Sequence, residues 1–190
     1  MLEIRTPYLA GGRLMWETPI DGFRIGASVQ TLRLDAKLLA GATAFDVQIP
    51  ATLAVGSLEY SLHDVLVAAE YSRWFVSSRS THPELFRDTP LTVSERGYAM
   101  VAYRVASWFQ PGAYYSLYFP DVDHREGRAS RQHDVAAMLR FDFNDHWLLK
   151  LEGHYMAGTA ALNPALNDNV PTALLERTWA VFLAKTTAYF

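Results

Sequence analysis

Apolar and charged side chains alternate along much of the chain. From Leu139 to Tyr155 the apolar residues other than Leu148 fall on one parity, while Arg140, Asp142 and Lys150 fall on the other. A period of two is typical of β-strands with one apolar and one polar face. Keeping the faces apart requires a turn of odd length, such as residues 144–146, which places Arg140 opposite Lys150. A turn two residues longer would instead pair Arg140 with Glu152, and the pattern leaves both registers open.

The same alternation predicts nine strands, most of them about 9 to 13 residues long, which is the length of a tilted strand that crosses a bilayer. Short turns near residues 20, 63, 111 and 145 alternate with long polar loops at 35–48, 77–94, 120–130 and 157–176. This connectivity predicts an all-β, transmembrane, antiparallel up-and-down barrel. A β-propeller is the nearest soluble alternative, and its repeated Gly-His and Trp-Asp dipeptides are absent from the sequence.

The charged residues fall on the face that would be enclosed. In a soluble sandwich each buried charge would cost several kcal/mol unless it were paired, whereas a water-filled lumen removes that cost. Aromatic residues near the strand ends would lie at the lipid boundaries, while Arg33 and Arg73 break the parity near loop ends. The predicted pore-lining residues are Arg13, Glu17, Arg24, Glu59, Glu70, Arg96, Arg104, Arg140, Asp142, Lys150, Glu152, His154 and Lys185.

Composition narrows the functional classes. Half of the residues are apolar, yet no apolar run approaches the roughly 20 residues of a membrane-spanning helix. A net charge of −3 gives no electrostatic reason to expect nucleic acid as a partner. The chain has no cysteine and no HExxH motif, so we expect neither a metal site nor a cofactor, and we assign no catalytic residue. His124 and His133 lie in a charged loop with Asp121 and Asp123, and such a group is more often solvated than bound to a cation.

The C-terminal sequence AKTTAYF resembles the terminal signature of bacterial outer-membrane proteins, in which a final phenylalanine, here Phe190, is the signal for the barrel-assembly machinery. The segments RTPYLAGGRLMWETPIDGFRIGAS and FNDHWLLKLEGHYMAGTAAL resemble phosphate-selective and related large porins. The resemblance implies a bacterial outer-membrane location, contact with membrane lipid and lipopolysaccharide, and assembly as homotrimers. It also implies passive diffusion of small hydrophilic solutes or ions, and the basic excess on the charged face would favour anions weakly.

The start of the chain raises a question about its extent. Residues 2–5 alternate like the end of a strand, residues 6–10 would form its loop, and no signal peptide precedes them. We therefore predict that residues 1–190 form one barrel segment, the C-terminal part of a longer porin. In the alternative, Met1 begins a product whose ten or so strands close alone or assemble with another chain.

Three other functions stay open at this level. Outer-membrane barrels can be lipases or proteases, and His154 is the inward histidine well within a strand, but no serine and acid are placed beside it by the sequence. A structural or adhesive barrel would have a plugged lumen and would act through its long loops. A soluble β-sandwich binding protein is the fourth reading.

Detergent partitioning separates the membrane readings from the soluble one. Because the apolar face should require lipid or detergent, we expect the full-length chain to enter the detergent-rich phase in a phase-separation assay. Recovery of folded, monomeric protein in the aqueous phase without detergent would contradict a membrane barrel.

Overall fold

The computed structural model describes residues 2–189 and shows a single antiparallel sheet in which each strand pairs with the next along the chain. Three short 3₁₀ turns, Arg128–Ser130, Pro164–Leu166 and Thr172–Leu174, lie in the loops. The strands are β1 Glu3–Glu17, β2 Phe23–Ala40, β3 Thr43–Leu62, β4 Val65–Ser80, β5 Thr89–Tyr103, β6 Phe109–Phe119, β7 Gln132–Asn144, β8 Trp147–Gly158 and β9 Thr178–Ala188.

This architecture confirms the predicted all-β, antiparallel, up-and-down strand order. All nine strands form an up-and-down meander, and β1 and β9 are the edges of the hydrogen-bonded sheet within residues 2–189. None of the helical segments in that range has the length and hydropathy needed to cross a membrane. The single meander also differs from the two packed sheets of a β-sandwich.

The predicted loop at residues 35–48 is wrong. Strands β2 and β3 continue through it and meet at a two-residue turn, where Gly41 has a φ of +61°. Glycine reaches this left-handed conformation without the steric penalty of a Cβ atom, so the turn can be tight. The polar residues that indicated a loop instead lie on one face of a long hairpin.

The first strand and one turn also differ from the prediction. Strand β1 is continuous, and residues 6–10 are not a loop but contain a register shift between Arg5 and Tyr8. The turn expected near residue 111 lies at residues 104–108, where the amide groups of Val105 and Ala106 donate to the carbonyl of Phe109. The prediction that residues 2–5 end a separate strand is therefore wrong, because residues 3–5 belong to β1.

The β7–β8 hairpin adopts the first of the two predicted registers. Arg140 lies opposite Lys150, so the alternative pairing with Glu152 is wrong. The turn itself has two residues, and the ladder shifts between Asp142 and Asn144. One extra residue, Phe143, is thereby accommodated in a bulge, which preserves the separation of the faces that a regular two-residue turn would lose.

The two faces of the sheet differ sharply in chemistry. On one face, large apolar side chains lie in register across β2 to β9 and remain open to the surroundings; Phe182, for example, is 70% exposed. We call this the apolar outer face. Within the described range the buried apolar residues are few and mostly small, which is the reverse of a soluble domain. They are Phe45, Val47, Ala51, Ala102, Ala136 and Met138.

The polarity reverses where the β2–β3 hairpin extends beyond the other strands. Here the outer face carries Arg33, paired with Asp35, whereas the opposite face buries Phe45 and Val47. The ring of Phe45 meets the edge of His82 from the β4–β5 loop, with centroids 6.3 Å apart. An apolar interior with a polar exterior is the arrangement expected in water. The parity break at Arg33 therefore marks the level at which the hairpin leaves the apolar band.

Removing the buried ring should loosen this hairpin selectively. A Phe45→Ala substitution should cost about 3 kcal/mol of local stability, because it leaves a cavity under the β4–β5 loop. We expect amide exchange near Gly41 to accelerate by about a hundredfold while β6–β8 stay protected. Leu39→Ala is the matched control, since Leu39 is 49% exposed on the same hairpin. Equal acceleration in both variants would show that the buried ring has no special role.

Candidate functional site

All thirteen predicted pore-lining residues lie on one side of the sheet, opposite the apolar outer face; Arg104, just beyond β5, reaches that side through Asp142. The register demonstrates this directly, because Glu17 pairs with Arg24, Arg24 with Glu59, and Arg140 with Lys150. We call this side the charged face. The structure therefore brings the predicted residues together on a common surface, while their role as a pore lining stays a prediction.

The larger cavity on the charged face measures about 680 Å³ and lies against strands β3 to β7. Glu70 and Arg96 contribute opposite charges to its wall. The guanidinium carbon of Arg96 lies 4.5 Å from the centre of the Tyr118 ring, which fixes the cation by a cation–π contact. A second cavity of about 600 Å³ lies against β1 to β4 and includes Arg13 and Glu70 in its wall.

Part of the β8–β9 loop reaches into the larger cavity. Ala160 and Ala161 line it, and the amide of Ala161 donates to Oε1 of Gln132 at 3.0 Å. The loop is anchored at Thr159, which is fully buried and donates its hydroxyl to the carbonyl of Thr172 at 2.7 Å. Sequence reasoning treated residues 157–176 only as a long polar loop and missed this inward segment.

A row of basic side chains crosses three strands near the short-turn end. Arg140, Lys150 and Lys185 are directly opposite one another in the register of β7, β8 and β9. Asp142 partly neutralises the row, because it accepts hydrogen bonds from Arg140 at 2.7 Å and from Arg104 at 3.3 Å.

The remaining ion pairs leave this face with a small basic excess. Lys150 pairs with Glu152 at 2.8 Å, and Arg24 pairs with Glu59. Among residues 2–189, three predicted lining cations have no carboxylate within 4.0 Å, against two unpaired lining carboxylates. The cations are Arg13, Arg96 and Lys185, and the carboxylates are Glu17 and Glu70.

His154 belongs to a buried polar cluster that the sequence did not reveal. Its Nδ1 lies 3.1 Å from Oδ2 of Asp134 and 3.1 Å from the hydroxyl of Tyr114, and both His154 and Asp134 are less than 10% exposed. The sequence does place all three residues on the charged parity, but it does not show that they meet. A catalytic relay needs the acid and the nucleophile on opposite ring nitrogens, but here both crowd Nδ1, while the hydroxyl is 3.4 Å from Nε2. The three side chains therefore form one buried network that links β6, β7 and β8.

The structure separates the two histidines that the sequence placed in one loop, because His133 belongs to β7 while His124 stays in the β6–β7 loop. Nδ1 of His124 lies 2.7 Å from Oδ2 of Asp121, and this bond raises the pKa of His124 and lowers the pKa of Asp121. His133 instead bonds the hydroxyl of Tyr115 at 2.6 Å on the outer face. Within the described part of the chain, no three histidine or acidic side chains converge as metal ligands would. The predicted assembly signal, Phe190, lies outside the described residues.

Comparison with known proteins identifies the fold. No protein-family model matches the chain, and no curated protein matches it in sequence. One solved structure that does match is the "NanC porin structure in rhombohedral crystal form", with a TM-score of 0.51 and 11% sequence identity. The alignment covers 98% of this chain and 96% of that one. At this identity the likeness concerns the fold alone: the chain has the antiparallel, up-and-down strand arrangement of an outer-membrane porin.

Proposed function

We propose that the chain forms an outer-membrane pore for the passive diffusion of small hydrophilic solutes or ions, with a weak preference for anions. The observation that supports this most directly is the reversed distribution of polarity, with exposed apolar side chains on one face and charges on the other. In lipid, exposure of the apolar outer face carries no hydrophobic cost, and around a water-filled lumen the charged face keeps its hydration. The porin-like fold agrees with this placement.

The charged face has the features of a conducting wall. The ion pair between Arg24 and Glu59 remains accessible, since their side chains are 45% and 38% exposed. Solvated charges along a lumen set ion selectivity without the desolvation cost of a buried pair. The unpaired Arg96 and Lys185 would raise the local concentration of anions, which supports the proposed preference.

The wider setting follows the same proposal. We place the chain in the bacterial outer membrane, in contact with lipid and lipopolysaccharide, with Phe190 as the signal for the barrel-assembly machinery. We also propose assembly as homotrimers. The resemblance described above supports these proposals.

A second candidate is a structural barrel with a closed lumen. It is favoured by one observation, the inward position of Ala160 and Ala161 at the larger cavity. Conductance separates the two candidates, because a plugged barrel carries no steady ionic current.

Planar-bilayer recording tests the pore directly. We expect the refolded full-length chain to give discrete conductance steps in KCl, because charged side chains and cavities line one side of the sheet. Folded, membrane-inserted protein that gives no steps would contradict the pore and favour the closed barrel.

Charge reversal tests the proposed lining and its selectivity. Under a KCl gradient, Arg96→Glu and Lys185→Glu should each move the reversal potential toward cation preference, because each replaces an unpaired cation by an anion. The matched control is Arg5→Glu, since Arg5 is a well-exposed arginine beside Glu3, outside both cavities. An equal shift in the control would show that these positions have no special access to the current.

A further inference from the structure

Two arginines and one glutamate form a cluster on the outer face, where the alternation predicts apolar residues. Arg73 on β4 and Arg125 in the β6–β7 loop both contact Oε2 of Glu95, at 3.0 and 3.1 Å. The hydroxyl of Tyr71 donates to the same oxygen at 2.6 Å and accepts from Nε of Arg73 at 2.7 Å. The glutamate is buried to 6% exposure, so it serves as the anchor of the cluster.

The cluster keeps cationic donors available to the surroundings. The Arg73 and Arg125 side chains are 44% and 42% exposed. Arg125 is held in place by the ring of Phe119, 4.5 Å from its guanidinium carbon, and by the carbonyl of Val122. Two guanidinium groups against one carboxylate leave one net positive charge, and Nη1 of Arg73 makes no hydrogen bond within residues 2–189.

The surrounding loop carries charges of both signs. Asp121, Asp123 and Glu126 flank Arg125 in sequence, and His124 engages Asp121. The negative charge that approaches the two arginines most closely is therefore Glu95, which both of them share.

The height of the cluster places it at a membrane boundary. Arg73 follows Val65, the first residue of β4 after the short turn, by eight positions. At about 3.3 Å per residue and a tilt of about 40°, Arg73 lies roughly 20 Å above Val65, near the top of an apolar band of about 25 Å. In barrels of this connectivity the long loops face the exterior, so the cluster lies at the outer leaflet.

A shallow apolar groove of about 510 Å³ opens directly below the cluster. Gly56, Tyr71 and Gly97 lie side by side on β3, β4 and β5, and a Cβ atom on Gly56 would meet nothing within 4 Å. Tyr71 belongs to both features, because its ring lines the groove while its hydroxyl joins the cluster. The apolar groove and the cationic cluster are thus continuous, and together they would extend from the bilayer interior to its surface.

We propose that this composite surface binds one phosphorylated glycolipid of the outer leaflet, of the lipid A type. Its phosphate would contact the guanidinium groups of Arg73 and Arg125, and one acyl chain would lie in the groove. Arginine is suited to this ligand because its planar N–H groups match phosphate oxygens. The positive charge of the cluster complements a phosphate, and the apolar groove below it suits an acyl chain. The two features together therefore fit one amphipathic lipid. The proposal rests on the membrane placement of the proposed function and not on conduction.

Native mass spectrometry of the refolded full chain tests the proposal. The protein in detergent micelles is titrated with bisphosphorylated lipid A, with dephosphorylated lipid A and with phosphatidylglycerol. We expect one tightly bound bisphosphorylated lipid A and at least tenfold weaker binding of the other two. Arg125→Gln should weaken lipid A binding about tenfold through loss of charge-assisted contacts, while Arg73 still pairs with Glu95.

A second variant probes the groove without touching the charges. Gly56→Leu has room on the outer face and should fill the groove, which weakens lipid A binding about tenfold. The controls are Arg5→Gln, another exposed arginine, and Gly153→Leu, another strand glycine with open space. Both controls should bind as the unmodified chain does.

Three results would overturn the proposal. They are unchanged affinity in both Arg125→Gln and Gly56→Leu, equal losses in the controls, and phosphatidylglycerol bound as tightly as lipid A. Conductance measured on the same samples should persist in Arg125→Gln. Lipid binding without conductance would contradict the pore and leave the lipid site standing.

Discussion

The fold depends on the backbone hydrogen bonds between consecutive strands. In lipid there is no water to satisfy an amide or a carbonyl, so each strand must find its partners within the sheet. The nine-stranded meander does this with every strand bonded to the next, and the alternation of side chains then makes one whole face apolar and the other charged. A shift by one residue would exchange the faces, so the bulge at Phe143 preserves the function proposed for Arg140 and Lys150.

The side-chain pattern changes along the strands of the β2–β3 hairpin. In the apolar band Ile25 and Val29 face outward from β2, but a few residues further along the same strand Arg33 and Asp35 take that position. Opposite them Phe45 and Val47 become buried. The outer face of the same hairpin is thus apolar in one half and polar in the other, so the polar residues at 35–48 are compatible with strands.

The tertiary structure also explains the charged residues that break the alternation of apolar and polar positions. Arg73 lies on the outer face, where it bonds Glu95 and Tyr71, and the β6–β7 loop brings Arg125 to the same carboxylate. On the opposite side, Asp134, His154 and Tyr114 converge from three strands into one buried network. Each group joins residues separated by 20 or more positions in the chain, so pairing of strands is what creates it.

The sequence by itself determined the strand count, the antiparallel order and the division into an apolar and a charged face, because a period of two is a local property. It also placed the thirteen predicted pore-lining residues on one side, and it left two alternative registers open for Arg140. The tertiary structure decided what local patterning does not contain: the extension of β2 and β3 through residues 35–48, the inward turn of Ala160, and the partners of Glu95 and His154. Those contacts depend on strand stagger and loop packing, which join residues that no local period relates.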